Sequence, residues 1–135
     1  MSAVEAFFDT NVLLYLLSED MAKADRAEVL LADGGVISVQ VLNEFAAVAM
    51  RKLAMSVAEV RGILATIRAV CLVKPVNLET HDLGLDLCQR YQFSIYDSLI
   101  VAAAQLAGCV TLYTEDLQPR QRMDRLTVRN PFGDD

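Results

Sequence analysis

Val4-Glu5-Ala6-Phe7-Phe8-Asp9-Thr10-Asn11 is a short apolar run that ends in a carboxylate. The run reads as a buried strand over 4–8, and Asp9 falls where that strand leaves the sheet. An ionised carboxylate is almost never fully buried unless it is paired or binds a metal. Three more acids occupy comparable settings: Glu44 inside an apolar helix, Asp97 opening another, and Asp116 just after a second strand. Four acids where a fold ordinarily avoids them point to a divalent-cation site.

Outward from this stretch, strands are expected at Val36 to Ser38, Cys71 to Lys74, Cys109 to Tyr113 and Leu126 to Val128. Helical periodicity fills the gaps at about 11–17, 21–33, 39–53, 57–69, 79–91 and 95–107. Ser56 with Glu59, and Ser94 with Asp97, carry the capping-box spacing at two helix starts. Gly34-Gly35 and Gly108 sit where helices should stop, and Pro75 and Pro131 close strands. Strands alternating with helices predict an α/β fold whose mostly parallel sheet is covered on both faces. Ligands of such sheets bind beyond the carboxyl ends of the strands, where Asp9 and Asp116 lie. The alternation leaves the strand order open.

The chain is 135 residues long, which predicts a single domain over 1–135. Apolar residues make up 54% and charged residues 22%, so a packed core is expected and disorder is not. Apolar runs reach only about six residues against the roughly 20 needed to cross a bilayer. Met1 to Glu5 lacks the basic start of a secretory signal. Cys71, Cys88 and Cys109 are odd in number and set among apolar neighbours, which suits core thiols in a reducing compartment. The expectation is a cytoplasmic protein with no membrane segment.

A net charge of −6 is not that of a typical nucleic-acid binder. The bases are unevenly placed, however. Arg120, Arg122, Arg125 and Arg129 crowd the end of the chain, and Arg51-Lys52 closes the helix that holds Glu44. Acids at one site with bases around it suit a metal-dependent enzyme acting on a polyanion. A solvated arginine-rich tail explains the same residues.

Each acid also has a plain structural reading. Asp9 is a favourable N-cap for the helix that follows. Asp116 fits a turn in Thr114-Glu115-Asp116-Leu117, with Glu115 a rival for any role given to it. Glu44 lies about 60° from Val41 and about 40° from Val48 around its helix, bordering the apolar face of Val41, Phe45 and Val48. It either reaches a cleft or bends out to water. Asp97 heads the stripe of Val101 and Ala104, and as the third helical residue it suits the capping box and the helix dipole.

Together these residues resemble a PIN domain, in particular the VapC-like toxin branch of that nuclease superfamily. The resemblance rests on Phe7-Phe8-Asp9-Thr10-Asn11-Val12-Leu13, on Val41-Leu42-Asn43-Glu44-Phe45, and on the segment from Tyr96 to Ala104. It continues through Thr111 to Gln118 and Arg129-Asn130-Pro131-Phe132, in the family's order and spacing. It implies a three-layer α/β/α sandwich with a five-stranded parallel sheet in the order 3-2-1-4-5. Asp9, Glu44, Asp97 and Asp116 are then the acidic pocket for Mg²⁺ or Mn²⁺, with Thr10 or Asn11, and Thr114, as polar support. Metal-dependent endoribonuclease activity, a homodimer and an antitoxin partner are implied in the same way. Asp116 is favoured over Glu115 because the Thr-x-Asp spacing matches.

On this reading Asp9, Asp97 and Asp116 are ligands, while Glu44 ligates directly, through water, or acts as the base that positions the nucleophile. Arg120 and Arg122 are candidate RNA contacts. The single histidine, His81, lies on the predicted fifth helix away from the acids, so no histidine base is expected. A phosphohydrolase that forms an aspartyl-phosphate wants a second Asp two residues after the first, where this chain has Asn11. A receiver domain wants paired early acids and an acceptor Asp after its third strand, and neither is evident. The remaining alternative is a catalytically silent RNA- or protein-binding module of the same fold.

Overall fold

The computed structural model describes residues 6–133. It is built from β1 (Ala6–Phe8), α1 (Thr10–Leu14), α2 (Met21–Ala32), β2 (Gly35–Ser38), α3 (Val39–Lys52), α4 (Val57–Val70) and β3 (Cys71–Lys74). There follow α5 (Leu78–Tyr91), α6 (Ile95–Leu106), β4 (Thr111–Tyr113), β5 (Arg122–Met123) and β6 (Leu126–Arg129). Val4 and Glu5, expected in the first strand, lie outside the described residues. The helix expected over 11–17 tightens after Leu14 into a 3₁₀ turn, Tyr15–Leu17.

The sheet order is β3-β2-β1-β4-β6-β5. Its five parallel strands follow the 3-2-1-4-5 order, with β6 as the fifth of them. The sixth strand is a difference from expectation. β5 is two residues long and pairs antiparallel to β6 through a tight turn at Asp124, whose φ is +58°. Arg122 Nε donates to Asp124 O at 3.0 Å across that turn. Two residues are too few for a strand to declare itself by alternation.

Right-handed crossovers fix which helices share a face. The chain steps one way from β1 to β2 to β3 through α1–α4, then returns to β4 through α5 and α6. The return puts α5 and α6 on the opposite face, completing three layers. Phe7 and Phe8 of central β1 point to opposite faces and both are buried, as are Val36, Ile37, Leu112 and Val128 on its neighbours. Gly35 has a steric reason: a Cβ there would run into the Phe8 ring. On α3 the buried stripe is Val41, Phe45 and Ala49, with Val48 only half-buried. Glu44 therefore borders the core from the Val41 side.

Helix ends behave as their residues dictate. Ser56 and Glu59 form the full capping box of α4. Gly108, at φ +76°, lets Cys109 N–H reach Ala104 O at 3.0 Å and Gly108 N–H reach Gln105 O at 3.0 Å. That stop uses Cys109, so β4 begins at Thr111 and not at Cys109. All three cysteines are free, and burial pushes the Cys71 and Cys109 thiols up to about 11. Among the described residues no helix is long and apolar enough to cross a membrane.

Candidate functional site

Pairing of Phe8 with Tyr113 sends Asp9 and Thr114 out of the sheet side by side. Asp9 caps α1: its Oδ1 accepts the Thr10 N–H at 2.7 Å. Its Oδ2 accepts the Thr114 hydroxyl, also at 2.7 Å. The carboxyl is only 5% exposed, and its pKa is pushed up to about 7. Burial is the main cause; the charges of Asp116 and Glu44 add to it, while the two hydrogen bonds oppose it. Capping alone would hold this acid ionised. Buried beside other carboxylates, it keeps a proton to near neutrality.

Thr114 is fully buried and ties two acids together. While donating to Asp9 it accepts the Asp116 N–H at 3.0 Å, and Asn11 Nδ2 approaches at 3.4 Å. The Asp116 carboxylate is exposed, and its charge reaches both Asp9 and Asp97. Its neighbour Glu115 instead pairs with Lys23 at 3.9 Å. Lys23 is held there by Tyr15 Oη at 3.1 Å.

Glu44 is fixed at both oxygens. Oε1 accepts the Thr10 hydroxyl at 2.7 Å, and Oε2 accepts Gln40 Nε2 at 3.2 Å. Gln40 Nε2 also donates to Tyr96 O at 3.1 Å, which ties α3 to the first turn of α6. Asp97 stands one residue further on, half-buried. Its N–H donates to Ser94 Oγ at 3.1 Å. Burial raises its carboxyl pKa first, then the Asp116 charge; Ser94 lowers it, and Glu44 raises it again.

The four expected acids thus converge on one edge, and Thr10, Asn11 and Thr114 stand among them. The structure divides the support between them. Thr114 serves Asp9 and the Asp116 backbone, while the Thr10 hydroxyl serves Glu44. Gln40 was missed, although its i, i+4 spacing to Glu44 on one helix was visible. Arg120 and Arg122 are exposed at the β5 edge, two strands from β4. His81 is exposed on α5. Among the described residues, no three acidic, histidine or cysteine side chains stand close enough to hold an ion in this arrangement.

A family model described as PIN domain matches residues 6–125. No curated protein matches the chain. Similar solved structures include a toxin-antitoxin complex from Klebsiella pneumoniae, with 21% identity and a TM-score of 0.72, covering 94% of this chain and 98% of that one. The sarcin-ricin loop cleaving toxin VapC20 of Mycobacterium tuberculosis gives 21% and 0.67, covering 82% and 89%. VapBC2 from Rickettsia felis, bound to a DNA fragment from their promoter, gives 18% and 0.67, covering 93% and 97%. At these identities the likeness establishes the fold alone.

Proposed function

The chain belongs to the PIN domain family, and from that premise we propose that it is a divalent-metal-dependent endoribonuclease, a single domain over 1–135. One observation carries the reading. A carboxyl 95% removed from solvent, Asp9, lies in the field of two other acids with no basic partner in its hydrogen bonds. Such a group is ionised near neutral pH when a cation compensates it.

The donor set fits a hard dication. Asp9, Asp97 and Asp116 offer carboxylate oxygens and Thr114 a hydroxyl, with no imidazole or thiolate in the cluster. These acids, with Glu44 beside them, would hold Mg²⁺ or Mn²⁺. When bound, the ion lowers the pKa of a water and stabilises charge on the scissile phosphate. The chain's own residues do the rest. Thr114 holds the Asp9 carboxyl and the backbone that carries Asp116. Thr10 and Gln40 hold Glu44 by both oxygens, leaving it oriented as the carboxylate that positions water or accepts its proton. Ser94 holds the Asp97 amide and so the first turn of α6.

Two of the fold relatives are a sarcin-ricin loop cleaving toxin and a toxin-antitoxin complex, which supports reading this chain as the toxin of such a pair. A cytoplasmic homodimer inhibited by an antitoxin protein is part of the same proposal. The test is cleavage of single-stranded and structured RNA by the purified chain, with Mg²⁺ or Mn²⁺, with chelator, and beside Asp97→Asn. Cutting that needs the metal and falls at least about a hundredfold in the variant is expected, the scale of losing one preorganised electrostatic group. RNA bound but left intact by wild type and variant alike favours the silent binding module.

A further inference from the structure

A groove of about 520 Å³ opens directly beside Glu44, between the first turns of α3 and α6 and the loop after β3. Glu44 is the one ionisable carboxylate on its wall, and no lysine or arginine lines it. It is therefore no seat for a phosphate. Its walls are apolar: Val39, Pro75 and Val76 line it, with the two valines 39% and 38% exposed. Tyr96 lines it as well and is 65% exposed. The exposed Asn43 amide adds one donor and one acceptor.

We propose that this groove seats an unpaired nucleobase of the RNA, stacked on Tyr96 and read at its edge by Asn43. The inference rests on the nuclease reading, because Glu44 belongs both to the groove and to the acidic cluster. Whatever the groove holds is then continuous with the strand at that cluster. An aromatic face, aliphatic walls and a neutral amide match a base, and a sugar-phosphate backbone would want cations instead. The volume lies in the range of small-ligand pockets. Tyr96 is also firmly mounted. Its carbonyl is held by Gln40 at 3.1 Å, and its helix by the Ser94 cap, while its ring is left free. A stacking platform needs that combination, a fixed backbone under an exposed ring.

The experiment uses the full chain and a short single-stranded RNA, with and without an abasic nucleotide at each position in turn. Affinity, KM, kcat and the Tyr96 ring resonances are followed for wild type, Tyr96→Ala and Tyr96→Phe, with folding checked by circular dichroism. Tyr96→Ala should weaken binding and raise KM roughly tenfold, the scale of losing one stacked base. Tyr96→Phe, which keeps the ring, should hold its affinity. One abasic position should cost wild type the same factor and leave Tyr96→Ala indifferent. Tyr96→Ala that binds and cuts like wild type, with the abasic effect intact, overturns the groove and leaves the nuclease standing. Tyr96 ring shifts and abasic sensitivity without cleavage support the groove and sink the nuclease. A chain that binds no RNA at all overturns both, and Tyr96 shifts produced only by a protein partner overturn the groove.

Discussion

The carboxyl edge of the sheet and the α5–α6 pair are built on opposite principles. At the edge, Asp9 is buried against like charges. Asn11 Oδ1, Ser38 Oγ and Gln40 Oε1, the buried side-chain atoms without a partner among the described residues, all belong to segments around it. The α5–α6 pair is satisfied throughout. Asn77 and Thr80 form a reciprocal capping box, and Gln92 closes α5 with a left-handed residue at φ +64°. Cys88 Sγ donates to Ser98 Oγ at 3.1 Å, and Gly84 leaves room for Leu99. Ser98 and Asp97 are adjacent in sequence, yet one serves packing and the other the acidic cluster. The contrast teaches where stability was given up: at the edge a buried carboxyl is left among like charges, whereas the ends of α5 are capped by their own residues.

The comparison can be broken most sharply at Asp9. Asp9→Asn should abolish metal-dependent cleavage, by at least about a hundredfold. It should also change how the metal-free chain responds to pH. In the folded state the Asp9 carboxyl keeps its proton to about 7, against 3.8 ordinarily, so the folded chain binds more protons between those values. Stability therefore falls as pH rises from about 4 to about 7, by on the order of a few kcal/mol. Urea melts across this range should show the fall in wild type and a shallower one in Asp9→Asn, where the raised Asp97 carboxyl still contributes. An unchanged slope in the variant removes Asp9 as its source.

On the satisfied side, Leu87→Ala should cost about 2–5 kcal/mol by urea unfolding, since Leu87 is buried in α5. Asn77→Ala should cost about 1 kcal/mol through loss of the α5 cap, with cleavage unaffected. The smallest effect is expected at the carboxyl edge itself. Ser38→Ala removes a fully buried hydroxyl that has no partner, so its unfolding free energy should hold or rise, by less than about 1 kcal/mol. A clear loss there would mean the hydroxyl is bonded, and the contrast between the two regions would shrink.

Most elements were legible before any coordinates. Strand and helix periods differ, glycines mark the ends of α2 and α6, and Ser56 with Glu59 announces a cap. The α/β class follows the alternation of strands and helices, and the order of the five parallel strands follows the resemblance. What escaped was short or conditional: two-residue β5, the 3₁₀ turn at Tyr15–Leu17, and the choice of Ala49 over Val48 on the buried face. Each depends on what a neighbouring segment leaves open.

The sequence by itself determined the ingredients of the candidate site. Asp9, Glu44, Asp97 and Asp116 stand out because acids rarely border apolar runs, and that rule needs no coordinates. Only the tertiary structure decided how they are shared out. It turned Glu115 toward Lys23 and Asp116 toward the cluster, and gave Thr114 to Asp9 and Thr10 to Glu44. It recruited Gln40 as the brace between α3 and α6, and left Tyr96 exposed on the groove wall. The physical reason is the reach of the forces involved. Periodicity and capping act within a few residues, whereas a hydrogen bond between residues 9 and 114 exists only after β1 and β4 have paired.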